Sequence, residues 1–148
     1  MRAVVQRVRD ASVKVDGNIA GSIDKGLLIY LGVEDEDDEA SSLKLARKLA
    51  AMRIFTDEQG KMNRSVLDVS SKALVISQFT LFADLRKGNR PSWSRAGEPE
   101  HAQQLFETFK KDLASLGVEV QSGVFRADMT VLSSNMGPVT VIADTHDF

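Results

Sequence analysis

Three polar side chains, Ser77, Gln78 and Thr80, stand where the apolar run Ala73-Leu74-Val75-Ile76 gives way to Phe79, Leu81 and Phe82. Polar groups at the exit of a buried strand either satisfy nearby backbone or face a ligand, because leaving one buried and unpaired costs about 1–3 kcal/mol. A serine or threonine nucleophile needs a base within hydrogen-bond reach. The chain offers two histidines, His101 and His146, the first expected on a solvated helical turn and the second in a mobile terminal segment. Neither is expected beside Thr80.

Other catalytic chemistries are equally short of parts. The sequence contains no cysteine, which removes thiol nucleophiles, disulfides and thiolate metal sites. Two distant histidines make a poor zinc site, and no phosphate-binding glycine loop of the Walker or dinucleotide type is present. No metal or cofactor is therefore expected. An enzyme built from these residues works by positioning and backbone hydrogen bonding, or borrows a reactive group from its substrate.

Charge is distributed unevenly over the 148 residues, whose net charge is −2. The stretch Leu85–Gly97 carries Arg86, Lys87, Arg90 and Arg95, no acid, and one aromatic, Trp93. A local basic cluster with an aromatic is the footprint of phosphate contacts, although solvated loops of this kind are common. Glu34 to Glu39 are all acidic. Consecutive carboxylates do not converge on one ion without a shaped loop, so they are expected to be a solvated cap on the helix that follows.

The elements that position these residues follow from periodicity. Ala3–Val8, Ser12–Val15 and Ile19–Ile23 alternate like strands, the last two joined by a hairpin at Asp16-Gly17-Asn18. Gly26–Val33 is continuously apolar and suits a central strand buried on both faces. Leu45, Leu49 and Met52, with Ala46, Ala50 and Ile54 beside them, mark a first helix. Thr56–Gly60 is expected as a turn and Lys61–Asp68 as an irregular connection. A second helix starts at Pro99, presents Ala102, Leu105, Phe106, Phe109, Leu113 and Leu116, and stops at Gly117. Three short strands, Val118–Val124, Met129–Ser134 and Val139–Ala143, complete the chain, with Asn135-Met136-Gly137-Pro138 between the last two. The expected fold is α+β: residues 1–148 as a single domain, a curved, mostly antiparallel, barrel-like sheet of about seven or eight strands with two main helices packed on it. No run approaches the length of a membrane span, and the N-terminus does not resemble a signal peptide. A cytoplasmic location is expected.

Ser77-Gln78-Phe79-Thr80-Leu81 and Asn135-Met136-Gly137-Pro138-Val139-Thr140 resemble the two signature motifs of the D-aminoacyl-tRNA deacylases, also called D-tyrosyl-tRNA deacylases. Met1–Val8 is similar to that family's opening strand and Lys87-Gly88-Asn89-Arg90-Pro91 to its basic loop. The resemblance implies a homodimeric ester hydrolase that removes D-amino acids, and glycine, from the 3′ end of tRNA while sparing L-aminoacyl esters. It implies that Gly137-Pro138 forms a cis bond and enters the partner subunit's site, where its carbonyls exclude an L side chain. Asn135, Val139 and Thr140 belong to the same motif, and Arg7 would hold it in its working orientation.

In this reading Ser77, Gln78, Phe79 and Thr80 form the catalytic wall, whose backbone N–H groups face the developing oxyanion. Thr80 binds substrate or positions water, with the ribose 2′-hydroxyl assisting. Arg86, Lys87 and Arg90 hold tRNA phosphates without reading sequence. The tRNA acceptor end and a second copy of the chain are thus the expected partners, with neither membrane nor DNA among them. Taken one at a time, the motifs have plainer readings: satisfied core hydroxyls, a solvated loop, and a trans turn at Gly137-Pro138, since only about one X-Pro bond in twenty is cis. Two other functions stay open at this level, a non-catalytic dimeric RNA-binding module and a Thr80-nucleophile esterase acting on a small ester.

Overall fold

In the computed structural model, which describes residues 1–148, the first strand organises the sheet. Along β1 (Arg2–Val15), Ala3, Val5 and Arg7 are buried while Val4 and Gln6 are half-exposed, the two-residue period of a strand. Its length lets it serve three partners. One edge pairs antiparallel with β8 (Thr130–Asp144), from Arg2 opposite Asp144 to Lys14 opposite Thr130. The other edge is shared: β3 (Gly26–Gly32) takes Arg2 to Val8, and β2 (Asn18–Ile23) takes Ala11 to Val15, both antiparallel. The β1–β2 turn places Asp16 and Gly17 at φ of 50° and 79°, a conformation that Asp-Gly tolerates.

β6 (Lys72–Ser77) lies parallel to β3, and β7 (Glu119–Ser122) lies parallel to β6. The sheet is therefore mixed, with antiparallel pairing in the majority, and it curls into a nearly closed barrel. Where β2 meets β7, a Cβ on Gly21 would stand 2.7 Å from the Ser122 carbonyl oxygen. Only glycine permits that approach. β4 (Phe55–Thr56) and β5 (Met62–Arg64) form a separate short ribbon about the expected turn, closed by the Gly60 N–H on the Asp57 carbonyl, so part of the connection expected to be irregular is strand.

α1 (Glu39–Ala51) and α2 (Pro99–Ser115) cover one face of the sheet. Asp38 caps α1 through Ser41, each side chain meeting the other's backbone N–H. Leu45, Leu49, Phe106 and Phe109 pack with Leu27, Ile29, Ala73 and Val75, and the opposite faces of the same strands send Leu28, Leu74 and Ile76 into a second cluster with Val8 and Val13. β3 and β6 are thus apolar on both faces, each buried aliphatic side chain contributing about 1.5–3 kcal/mol.

The structure departs from the sequence reading at several other points. Met129–Ser134 and Val139–Ala143 are not separate strands, because Asn135–Pro138 bulges from the β1 ladder without ending β8. Ser12–Val15 likewise continues β1. The acidic run is only partly a solvated cap. Asp37 is buried, ion-paired to the Met1 amine, and accepts the Glu34 N–H at 2.8 Å. Glu34 is paired with Arg95 at 2.9 Å.

Candidate active site

β6 delivers Ser77 to the rim of the sheet, and the chain turns at Gln78 (φ −144°, ψ 78°) into a 3₁₀ turn, Phe79–Phe82. The Gln78 N–H donates to the Leu31 carbonyl at 2.7 Å, so the turn is fastened to the end of β3. No side chain caps the turn. The Gln78 amide instead donates to Thr80 Oγ1. The leading N–H groups of a helical turn have no acceptor inside it, which leaves those of Phe79 and Thr80 over, while that of Gln78 is already used.

Ser77, Gln78 and Phe79 form one wall of a cleft of about 470 Å³. Pro99, Ala102 and Phe106 of α2 stand among the other walls, with Phe125, Arg126 and Met129 from the turn before β8. The lining is mostly apolar, as small-molecule sites are. Thr80 is half-buried and lies outside the lining, its hydroxyl engaged by Gln78.

The second motif occupies the β8 bulge. Gln6 pairs with Thr140 and Val8 with Asn135, so Arg7 alone faces Met136, Gly137, Pro138 and Val139. Asn135 braces the loop from within: its carbonyl oxygen accepts the Val139 N–H at 3.2 Å and its amide donates to Thr140 Oγ1 at 3.1 Å. Arg7 donates from Nε to Met136 O at 3.3 Å, and from Nη1 to Ile54 O at 2.8 Å and Thr56 Oγ1 at 3.2 Å. The Gly137-Pro138 bond is cis, Gly137 has φ +121°, and both residues are exposed. They do not line their own chain's cleft.

The basic loop folds back toward the first motif. Asp84 and Ser92 form an antiparallel bridge, and the Trp93 ring meets Phe79 edge-on with centroids 5.2 Å apart. Its cations are not equally free. Arg86 is paired with Asp84, and these hydrogen bonds hold the Asp84 carboxyl at about 2, well below the usual carboxylate value. Lys87 and Arg90 are exposed and unpaired.

The family model described as D-Tyr-tRNA(Tyr) deacylase matches residues 4–144. The chain belongs to the D-Tyr-tRNA(Tyr) deacylase family. A D-aminoacyl-tRNA deacylase of Thermomicrobium roseum is 53% identical over 145 residues, which cover 98% of this chain and 94% of that protein. Among solved structures, one titled c-Myc DNA unwinding element binding protein matches with a TM-score of 0.91 at 36% identity, covering 97% of this chain and 98% of its own. A probable eukaryotic D-amino acid tRNA deacylase matches with a TM-score of 0.83 at 15% identity, covering 96% and 97%, a likeness of fold.

Both family motifs occupy defined places in this geometry, one on the cleft wall and the other on the bulge. His101 sits in the first turn of α2, as expected, but is half-buried, and His146 departs from the expected tail. His101 Nε2 lies 2.9 Å from the Asp37 carbonyl oxygen, and His146 Nδ1 lies 2.9 Å from Asp144 Oδ1 in a short 3₁₀ turn rather than a loose tail. Neither lines the cleft. Sequence reasoning passed over Phe125 and Arg126. They sit in a gap between strand signals, and the only cue was a lone aromatic next to a cation just after Gly123.

Proposed function

We infer that this chain is a D-aminoacyl-tRNA deacylase, hydrolysing the ester that joins a D-amino acid to the 3′ end of tRNA. The observation that carries the reading is the placement of the Ser77-Gln78-Phe79 motif on the wall of the large apolar cleft. The leading N–H groups of the turn stabilise the ester oxyanion, a device whose loss typically slows acyl transfer about 100- to 1,000-fold. Thr80, held by Gln78, positions substrate or water, and the ribose 2′-hydroxyl assists.

The Gly137-Pro138 carbonyls form the chiral gate, which reads the geometry at Cα rather than side-chain identity. The wrong enantiomer is rejected by clash. The gate's absence from its own cleft supports a homodimer in which each bulge enters the partner's site, with Arg7 holding the bulge in place. Residues 1–148 act as one domain in the cytoplasm. Glycine esters on non-cognate tRNA pass the gate because glycine has no side chain to clash. Lys87 and Arg90, with Arg86 in a lesser role because Asp84 engages it, hold acceptor-end phosphates.

The test is hydrolysis of D-Tyr-tRNA and L-Tyr-tRNA at catalytic enzyme concentration. Release of D-tyrosine with the L-ester spared is expected; equal loss of both, or of neither, overturns the reading. The structural neighbour titled as a DNA-binding protein keeps a nucleic-acid-binding module in view, and retention of tRNA or DNA without ester loss is its signature.

A further inference from the structure

The cleft contains one charged side chain, Arg126, and nothing above gives it a task. It lies in the turn between β7 and β8, where the Ala127 N–H closes onto the Val124 carbonyl at 3.2 Å. Its backbone adopts φ +64°, a left-handed conformation that side chains disfavour and that tends to persist at functional sites. The turn is anchored on the preceding side: the Phe125 ring packs against Phe106 of α2 with centroids 5.9 Å apart. Arg126 itself is exposed and enters no ion pair or side-chain hydrogen bond within the chain.

We propose that Arg126 binds the phosphate on the 5′ side of the substrate's terminal nucleoside, fixing the ester against the Ser77–Phe79 wall. This deepens the deacylase reading and rests on it. An aminoacylated acceptor end offers the cleft a nucleoside, an ester with its ammonium, and a phosphodiester anion one ribose away. The apolar walls suit the first and the 3₁₀ turn suits the second. Within the cleft's lining Arg126 alone supplies positive charge for the third, and its planar fork matches a phosphate's paired oxygens.

The experiment compares D-tyrosyl-adenosine with the same ester carrying a 5′-phosphate, alongside calorimetric titration with adenosine and adenosine 5′-monophosphate. For the wild-type chain the phosphate is expected to raise both kcat/KM and affinity about tenfold. Arg126→Gly, which suits the left-handed backbone and so keeps the turn, is expected to abolish that gain, and Arg126→Lys to retain part of it. The salt dependence of D-Tyr-tRNA hydrolysis should lose about 0.7 from its logarithmic slope in Arg126→Gly, the contribution of one single-stranded phosphate. An unchanged phosphate gain in Arg126→Gly overturns the proposal. So does a loss confined to D-aspartyl esters, which would make Arg126 a reader of the amino-acid side chain. If the wild-type chain hydrolyses no D-ester yet binds the monophosphate more tightly through Arg126, the deacylase reading fails while the phosphate site stands.

Discussion

The Arg7 guanidinium donates to the Met136 carbonyl at 3.3 Å from directly beneath the β8 bulge. The same side chain reaches Ile54 O and Thr56 Oγ1, so one buried cation links the bulge to β4 and the residue that leads into it. Arg7→Ala should leave buried carbonyls unpaired and lower stability by about 2–4 kcal/mol, measured by urea unfolding. Arg7→Lys keeps the charge but loses the fork, and should recover stability more than deacylation. Equal recovery of both would argue against a role for Arg7 in orienting the bulge.

Gly137→Ala tests the bulge directly. At φ +121° an added Cβ would stand 2.8 Å from Val139 Cγ2 and 3.0 Å from Arg7 Nη2, so the loop must shift. On the proposal that the bulge is the chiral gate, discrimination between D- and L-esters is expected to fall at least about tenfold. Unchanged enantioselectivity would remove Gly137 from the gate.

Whether the bulge serves a partner's cleft is decided by mixing. Chains carrying Thr80→Ala and chains carrying Gly137→Ala, unfolded together and refolded, should form heterodimers with one intact site each. Beyond the turnover that the two homodimers retain, D-selective activity of about a quarter of wild type is expected from random pairing in a two-fold dimer. No recovery, with dimers confirmed by sedimentation, would place each bulge in its own chain's site.

Thr80→Ala separates a binding role from nucleophilic attack. Loss of the hydroxyl that Gln78 engages should reduce kcat/KM by about 10- to 100-fold without abolishing turnover. A D-aminoacyl-tRNA ending in 2′-deoxyadenosine should be hydrolysed more slowly still. A trappable acyl-enzyme on Thr80 would reverse the assignment.

Acid stability should report on Asp144. Burial alone would raise its pKa, but hydrogen bonds from the His146 N–H and ring, together with Arg2, outweigh that and hold it at about 2, against 3.8 unperturbed. With the folded value depressed, the unfolded chain binds the extra proton between those values, so the contribution is present above about pH 4 and is lost as pH falls toward 2. With solvent screening it amounts to about 1 kcal/mol. Asp144→Asn should be less stable at pH 7 and flatter in its unfolding free energy between pH 4 and 2; a parallel pH profile in the variant would refute the assignment.

Much of this was legible in the residues. The apolar run at Gly26–Val33 read as a strand buried on both faces, because such burial requires continuous hydrophobicity, and Ala73–Ile76 read as a buried strand; both strands are buried on both faces. The helices announced themselves by periodicity and by Pro99 and Gly117. The continuity of β8 was hidden because Gly137-Pro138 is local punctuation, whereas the pairing that carries the strand past it lies on β1. Asp37 and Glu34 looked solvated because nothing local reveals that the Met1 amine and Arg95 will fold back to meet them. Arg126 was missed for the same reason: its neighbours in the cleft are remote in sequence.

The pairing of Arg2 with Asp144 joins residues 142 positions apart in the chain. β1 is made well before β8, its full-length edge partner, so one side of a 14-residue strand stays open until β8 has been synthesised. Non-local pairing of this kind slows folding and leaves a sticky edge exposed meanwhile. The barrel's closure is therefore also its period of greatest exposure to aggregation.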